Sequence, residues 1–366
     1  MFYYYLLLLF FLGVLEFFCR GMKIKNIFLI MSGSIFFIIQ AFITWTPDLF
    51  NYEIHFYNID LDYVRLAVEL VHIKLIEFVH YINEDFQYFL GVYAALTLIL
   101  FLFFLKKTTP SPAFVLSIFF IVPYFLNIIQ IRNFLAISVF LVAVLYYEKR
   151  KIIFWAFYIL SVLCHFSMLI LLPFFLVRKF SFFNKLSKSN IAIIIGMLIL
   201  LAVPKSIAEP LVTAINPKYS DYLEATSTYL GTIALFIPFF IINNFILWHY
   251  YNKFYLWESR VNESYKKYLP IFIQLVQYAN YLILAQYFIR DFSRITMNLS
   301  LLSYIYLSVI FFYRRETKQD KLRVFLMKFM LYLWGGVSFY LIFLSLNEGE
   351  YFDVIEKTFN SNLIFR

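Results

Sequence analysis

Five ionisable residues interrupt apolar stretches of this chain at three places that lie far apart in sequence. Arg132 lies in a short polar run between two apolar segments, His165 lies inside another apolar stretch, and Arg290, Asp291 and Arg294 precede a third. Ionisable side chains at membrane depth are costly, which makes them candidates for function. Arginine suits a diphosphate because its planar fork can hold two oxygen atoms at once. Each residue also fits a plainer interpretation: an arginine reaching toward headgroups, an interfacial ion pair, or a packed histidine.

A second group of polar residues follows an apolar segment near the N-terminus. Asp48, Tyr52, Glu53 and His55 come directly after Pro47, which fixes the direction in which the chain leaves that segment. Carboxylates accept hydrogen bonds from sugar hydroxyls, and flat rings cover the C–H faces of a sugar. The group therefore predicts carbohydrate recognition, with a polar loop of ordinary turn chemistry as the alternative.

The composition indicates what solvent these residues meet. Of the 366 residues 63% are hydrophobic and only 14% are charged, and the mean hydropathy is +0.78. Too few polar side chains are present to cover a water-soluble globule, so the composition predicts an integral membrane protein. The net charge of +9 favours basic cytoplasmic loops rather than nucleic-acid binding. Cys19 and Cys164 are too few for a disulfide framework.

Apolar segments long enough to cross a membrane recur along the chain, and about ten of them are expected to span it as helices. The predicted fold is an all-α, polytopic membrane protein that forms a single domain over residues 1–366. The predicted spans are residues 2–18, 27–45, 86–105, 112–129, 131–147, 190–203, 228–250, 268–288, 295–312 and 324–345.

The distribution of lysine and arginine orients these spans. Basic clusters fall in alternate loops, which places residues 46–85, 204–227 and 289–294 and the tail from 346 outside the cytoplasm. This assignment requires the apolar stretch 152–177 to begin and end on the cytoplasmic side. A re-entrant or broken helix that turns near Cys164 and His165 satisfies the requirement, and one long tilted helix is the alternative. In the re-entrant case Arg132, His165, Arg290 and Arg294 all face the outside.

The first outer loop contains an amphipathic stretch over residues 62–82. Arg65, Glu69, His72 and His80 fall on one face of a predicted helix, opposite a set of leucines and isoleucines. The pattern predicts a helix that lies in the membrane interface or caps the helix bundle.

Three stretches of the sequence resemble the EpsG family, the Wzy-like polymerases of bacterial exopolysaccharide, capsule and O-antigen. They are residues 131–141, which open with Ile-Arg-Asn-Phe-Leu-Ala, the basic turn at 149–151, and residues 163–173, which open with Leu-Cys-His-Phe-Ser. Pro47, Asp48 and Tyr52 are similar to the family's outer-loop pattern, and Arg294 or Arg290 is similar to its late arginine.

The resemblance implies an inverting, metal-independent glycosyltransferase without a cofactor, in the bacterial cytoplasmic (inner) membrane and with its active site facing the exterior. The implied partners are undecaprenyl-diphosphate-linked donor and acceptor oligosaccharides, membrane lipid and a chain-length regulator, and no nucleic acid. Diphosphate or sugar binding falls to Arg132, Arg290, Arg294 and Tyr52, and the base is His165, Asp48 or Glu53. A lipid-linked oligosaccharide flippase, a glycan ligase and a membrane acyltransferase are the alternatives. Motifs of zinc hydrolases, serine hydrolases and P-loop enzymes do not occur in the sequence.

Overall fold

The computed structural model describes residues 1–19, 21–177, 229–256, 258–285, 292–313, 318–340 and 350–365. Throughout these ranges the regular elements are helices, and the β-type pairing is limited to an isolated bridge between Ile43 and Asn362. The all-α prediction is therefore confirmed. Predicted span 190–203 and predicted outer loop 204–227 lie outside the described residues.

The helices fall into two compact units. The first contains residues Met1–Leu169 and Ser308–Arg366, and the second contains Ile170–Leu307. In chain order the helices are α1 (Phe2–Phe18), α2 (Met22–Ala41), α3 (Leu49–Tyr57), α4 (Asp62–Ala67), α5 (Leu70–Ile82), α6 (Phe86–Thr108), α7 (Pro112–Ile121), α8 (Tyr124–Ile129), α9 (Ile131–Tyr146), α10 (Lys151–Cys164), α11 (Leu172–Val177), α12 (Tyr229–Lys253), α13 (Glu263–Lys266), α14 (Leu269–Ala285), α15 (Phe292–Tyr313), α16 (Lys318–Phe339) and α17 (Glu350–Asn360).

The chain is a multi-pass membrane protein. Among the described residues four helical segments are long and apolar enough to cross a membrane, namely Lys23–Ala41, Phe86–Thr108, Arg294–Tyr313 and Asp320–Phe339. Shorter apolar helices, including α1, α7, α9 and α10, accompany them. The number of about ten spans stays a prediction.

The predicted span over residues 112–129 is wrong in one respect, because it is two short helices rather than one. Helix α7 ends at Ile121 and α8 begins at Tyr124, on either side of Val122 and Pro123. Proline has no backbone N–H to donate and its ring obstructs the preceding turn, which favours a break in the helix at this position.

The predicted outer helix over residues 62–82 is also two helices. The backbone is extended at Val68 (φ −128°, ψ 157°) and at Glu69 (φ −75°, ψ 151°), which separates α4 from α5. The predicted polar face is wrong as well, because His72 is 0% exposed whereas Leu66 is 88% exposed. The first unit covers His72 with aromatic side chains, and this packing outweighs the local pattern of polar residues.

The break predicted near Cys164 and His165 is confirmed. Helix α10 ends at Cys164, His165 is extended (φ −158°, ψ 121°), and a 3₁₀ turn follows over Phe166–Leu171. The Tyr158 hydroxyl donates to the Met168 carbonyl at 3.1 Å, although ten residues of a straight helix would extend over about 15 Å. The chain therefore bends back after His165. The return of the second arm to the cytoplasmic side stays a prediction.

Packing in the first unit brings together the start of α5, the start of α9 and the end of α10. Helix α9 packs against α6 and α10, and α5 packs against both α6 and α10. On the other side of the unit, α1 approaches α7 closely at Gly13, where an added Cβ would lie 2.7 Å from Ser117 Oγ. Small residues permit such close approach of helices in membranes.

The second unit has a polar interior of its own. Helices α12 and α14 pack together, and the buried Asn243 side chain donates to Asn280 at 3.1 Å and accepts from Ser303 at 2.9 Å. Hydrogen bonds of this kind join helices where water cannot satisfy polar groups.

Candidate functional site

Arg132 lies in the first turn of α9. Helix α8 ends at Ile129, and Gln130 adopts a non-helical conformation (φ −110°, ψ 67°) before α9 begins. This turn places Arg132 at a helix end, where its side chain can leave the apolar packing of α9. Its Nη1 donates to Glu69 Oε2 at 2.6 Å, which is the distance of a strong, charge-assisted hydrogen bond.

Glu69 reaches Arg132 from the break between α4 and α5. Because its backbone is extended and precedes the first turn of α5, the carboxylate projects from a helix end and not from a helix side. Glu69 is the residue of the site that the sequence interpretation missed. Its partner lies 63 positions along the chain, and local helical periodicity contains no signal for such a contact.

His165 approaches the same carboxylate from the end of α10. Its Nδ1 accepts the backbone N–H of Ser167 at 3.2 Å and lies 2.9 Å from the Ser167 hydroxyl. A backbone amide can only donate, so Nδ1 is the unprotonated nitrogen and Nε2 carries the proton in the neutral ring. Glu69 Oε1 lies 3.8 Å from Nδ1, and the two side chains form an ion pair only when His165 is protonated.

Tyr52 on α3 completes what we call the Arg132 cluster: Tyr52, Glu69, Arg132 and His165. The Arg132 guanidinium lies against the Tyr52 ring, with its Cζ 5.5 Å from the ring centre. The side chains of Arg132, Glu69 and His165 keep 21%, 19% and 24% of their surface exposed. A ligand can therefore reach the charged groups, while the surrounding protein strengthens their interactions relative to open water.

Two histidines lie behind the cluster. The His72 ring centre lies 5.8 Å from that of His55 and 5.9 Å from those of Tyr52 and Tyr93. Burial lowers the pKa of His72 well below 6.5, with a smaller contribution from the Arg132 charge, and the same two causes lower the pKa of His55. Both rings are therefore neutral at neutral pH, which leaves Arg132 as a cation of the site.

Several polar atoms in this region lack a hydrogen-bond partner within the described part of the chain. They are Arg132 Nε, His55 Nδ1, both ring nitrogens of His72 and the Tyr93 hydroxyl. An unpaired buried polar group costs about 1–3 kcal/mol.

The remaining predicted site residues lie elsewhere. Asp48 is half-buried at the start of α3, one turn before Tyr52, and its carbonyl accepts the Tyr52 N–H at 3.2 Å. Glu53 is exposed on α3. Arg294 lies in the first turn of α15 in the second unit, and Arg290 and Asp291 lie outside the described residues. The structure thus brings together Tyr52, Arg132 and His165 from three separate stretches.

The Arg132 cluster combines a cation, a carboxylate and an imidazole at a surface that a ligand can reach. The cation can stabilise a negatively charged oxygen, and the carboxylate or the imidazole can accept or position a proton. Among the described residues, no three His, Cys, Asp or Glu side chains are arranged to hold a metal ion.

Comparison with known proteins identifies a family for this chain. The model of the EpsG family matches residues 25–352 of the chain. No curated protein and no solved structure matches significantly.

Proposed function

The chain belongs to the EpsG family, whose members are related to Wzy-like polysaccharide polymerases, and from this membership and the Arg132 cluster we propose that it polymerises lipid-linked oligosaccharides. It is a membrane protein of polysaccharide biosynthesis. In the proposed reaction, a glycan on undecaprenyl diphosphate is transferred to the end sugar of another lipid-linked repeat unit on the outer face of the cytoplasmic membrane.

The observation that carries the proposal is the meeting of Arg132, Tyr52 and His165 in one part-exposed cluster. The loops around the cluster are those that the distribution of basic residues predicts to be extracytoplasmic. An arginine on that side runs against the usual bias of lysine and arginine toward the cytoplasm. Its presence there is explained if it binds an anionic substrate.

The proposed chemistry is a single inverting displacement. An acceptor hydroxyl attacks the anomeric carbon of the donor while the bond from that carbon to the diphosphate oxygen breaks. Negative charge develops on the departing diphosphate, and Arg132 stabilises it, with Arg290 and Arg294 as further proposed contacts. His165, Asp48 or Glu53 accepts the hydroxyl proton in the sequence-based assignment. The reaction requires neither a metal ion nor a cofactor.

Tyr52 is only 3% exposed and lies against the guanidinium, so its proposed part in substrate binding is to position Arg132. A flippase would instead require polar groups along a path through the whole membrane. A ligase would use a similar site, since it differs from a polymerase only in its acceptor.

Deleting the gene and examining surface polysaccharide on a gel tests the proposal. The proposal predicts that the deletion strain carries single repeat units in place of a ladder of chain lengths, and that the wild-type gene restores the ladder. Complementation with Arg132→Ala or His165→Ala should fail although the variants insert in the membrane at normal levels. A complete loss of surface-attached glycan would indicate a ligase or a flippase instead. Wild-type ladders from both variants would refute the site.

A further inference from the structure

The guanidinium proposed to bind the donor already holds an anion. Arg132 Nη1 donates to Glu69 Oε2 at 2.6 Å, and one carboxylate oxygen thereby occupies a position that a diphosphate oxygen would take. A diphosphate that binds Arg132 through Nη1 must therefore compete with Glu69 or displace it. Nothing in the sequence-based assignment of the site gave Glu69 a role.

We propose that Glu69 is the general base of the transfer, and that donor diphosphate binding at Arg132 releases Glu69 for this role. The inference rests on the proposed function, because it concerns the same reaction and the same substrates. It replaces His165 as the group that accepts the proton and makes His165 a hydrogen-bond donor in the site.

The hydrogen bonds of His165 favour this division of roles. The basic lone pair of its neutral ring is on Nδ1, and the Ser167 backbone N–H already donates to that atom at 3.2 Å. The proton on Nε2 makes that nitrogen a donor. In this tautomer the imidazole can donate to a substrate oxygen, but it cannot take a proton from an acceptor hydroxyl without breaking the contact with Ser167.

The carboxylate of Glu69 has the position that a base requires. Within the described residues its Oε1 makes no hydrogen bond, since the approach to His165 Nδ1 is 3.8 Å, and the side chain is 19% exposed. The extended backbone at Val68 and Glu69 places the group between two short helices. A small rotation of either helix can move the carboxylate away from Arg132 without unfolding a long element.

Displacement of Glu69 would also activate it. A diphosphate carries more negative charge than a carboxylate and matches the guanidinium fork with two oxygens, so it is the stronger partner for Arg132. A carboxylate that loses a nearby cation gains affinity for a proton. The base would thus become effective only when the donor is in place.

The proposed step balances as follows. The acceptor O–H bond breaks, its proton passes to Glu69 Oε1, and its oxygen forms a bond to the anomeric carbon of the donor. The bond between that carbon and the diphosphate oxygen breaks, and undecaprenyl diphosphate leaves with the electron pair beside Arg132. Release of undecaprenyl diphosphate restores the contact between Glu69 and Arg132 after the proton is lost to water.

The experiment compares Glu69→Gln, Glu69→Asp, Arg132→Ala and the control Glu77→Gln in the full-length protein. Glu77 lies on the same helix α5 but pairs with Arg65 at 2.9 Å and Lys74 at 2.6 Å at the exposed surface. Two quantities are measured for each purified protein: the rate of transfer with lipid-linked repeat units extracted from the deletion strain, and the thermal stabilisation produced by synthetic undecaprenyl diphosphate.

Glu69→Gln is expected to lower transfer by about 100-fold or more, as the loss of a general base does, while stabilisation by undecaprenyl diphosphate is retained or increased. Glu69→Asp should recover part of the rate, since it restores a carboxylate. Arg132→Ala should lose both transfer and stabilisation, and Glu77→Gln should resemble wild type.

Three results would overturn the assignment of Glu69. They are transfer by Glu69→Gln within a few-fold of wild type, loss of undecaprenyl diphosphate binding together with transfer, and failure of both Glu69 variants to accumulate. The last two would make Glu69 a support for Arg132 and not a base. Failure of the proposed function is different, because wild-type protein would then neither transfer repeat units nor be stabilised by undecaprenyl diphosphate.

Discussion

Replacing Arg132 by lysine keeps the positive charge of the Arg132 cluster and removes the planar fork. The guanidinium donates to Glu69 at 2.6 Å and also lies against the Tyr52 ring, with Cζ 5.5 Å from the ring centre, so it makes contacts in two directions at once. A lysine ammonium on its flexible stem can reach one of these positions but does not reproduce the forked geometry. The substitution therefore separates charge from geometry at the proposed diphosphate site.

The size of the effect follows from one lost hydrogen bond to the diphosphate. A hydrogen bond to a charged group contributes about 1.5–3 kcal/mol. At about 1.4 kcal/mol for each factor of ten, Arg132→Lys should lower the transfer rate by about 10- to 150-fold. Because lysine keeps the positive charge beside Glu69 and loses only part of the hydrogen bonding, the loss of folding stability should be only about 1 kcal/mol.

The assay is the initial rate of transfer in membrane vesicles with lipid-linked repeat units, normalised to the amount of protein on an immunoblot. Arg65→Lys is the matched control, because Arg65 donates to Glu77 at 2.9 Å on the neighbouring helices α4 and α5 and is exposed. A rate for Arg132→Lys within twofold of wild type would refute the forked recognition of diphosphate. A similar loss in Arg65→Lys would show that the outer helices, and not the site, limit the rate.

Two further predictions concern stability, measured as the thermal unfolding temperature in detergent. Burial and the charge of Arg132 lower the pKa of His72 below 6.5. The unfolded chain therefore binds a proton at this residue more readily than the folded chain does. As a result, the contribution of His72 to the free energy of unfolding is complete above pH 6.5 and decreases as the pH falls below it. His72→Phe should reduce the difference in unfolding temperature between pH 5 and pH 7.5, and an unchanged difference would contradict this. Gly13→Ala would place a Cβ 2.7 Å from Ser117 Oγ and should cost about 1–3 kcal/mol. Gly91→Ala is its control, because a Cβ there meets nothing within 4 Å, and equal destabilisation of the two variants would argue against the packing at Gly13.

The fold class could be predicted from the sequence because the hydropathy of a chain indicates directly whether lipid or water surrounds it. Helix α1 has the predicted bounds, Phe2–Phe18, since no residue within the apolar run ends a helix. The break at Pro123 has a local cause that the sequence contains, and the prediction of one span over residues 112–129 gave the proline too little weight. The break at Val68 and Glu69 has no such signal, since neither residue is a proline or a glycine, and Glu69 meets Arg132 and His165 only in the folded chain.

The site was predictable in part for a related reason. Arg132, His165 and Tyr52 stand out as polar residues beside apolar segments, and the family resemblance connects them. Glu69 has an ordinary place in a helical pattern, so its role depends on a contact that only the fold creates. His72 was placed on a polar face by the same periodicity, whereas the rings of Phe89 and Tyr93 cover it in the structure.

The central claim is that this protein joins lipid-linked repeat units through the Arg132 cluster. Its most direct test is to incubate the purified wild-type protein in lipid vesicles with repeat units linked to undecaprenyl diphosphate and to separate the products by chain length. The account predicts a ladder of products, with one undecaprenyl diphosphate released for each linkage formed, and no products with Arg132→Ala. Repeat units that remain single with wild-type protein, or a full ladder from Arg132→Ala, would contradict it.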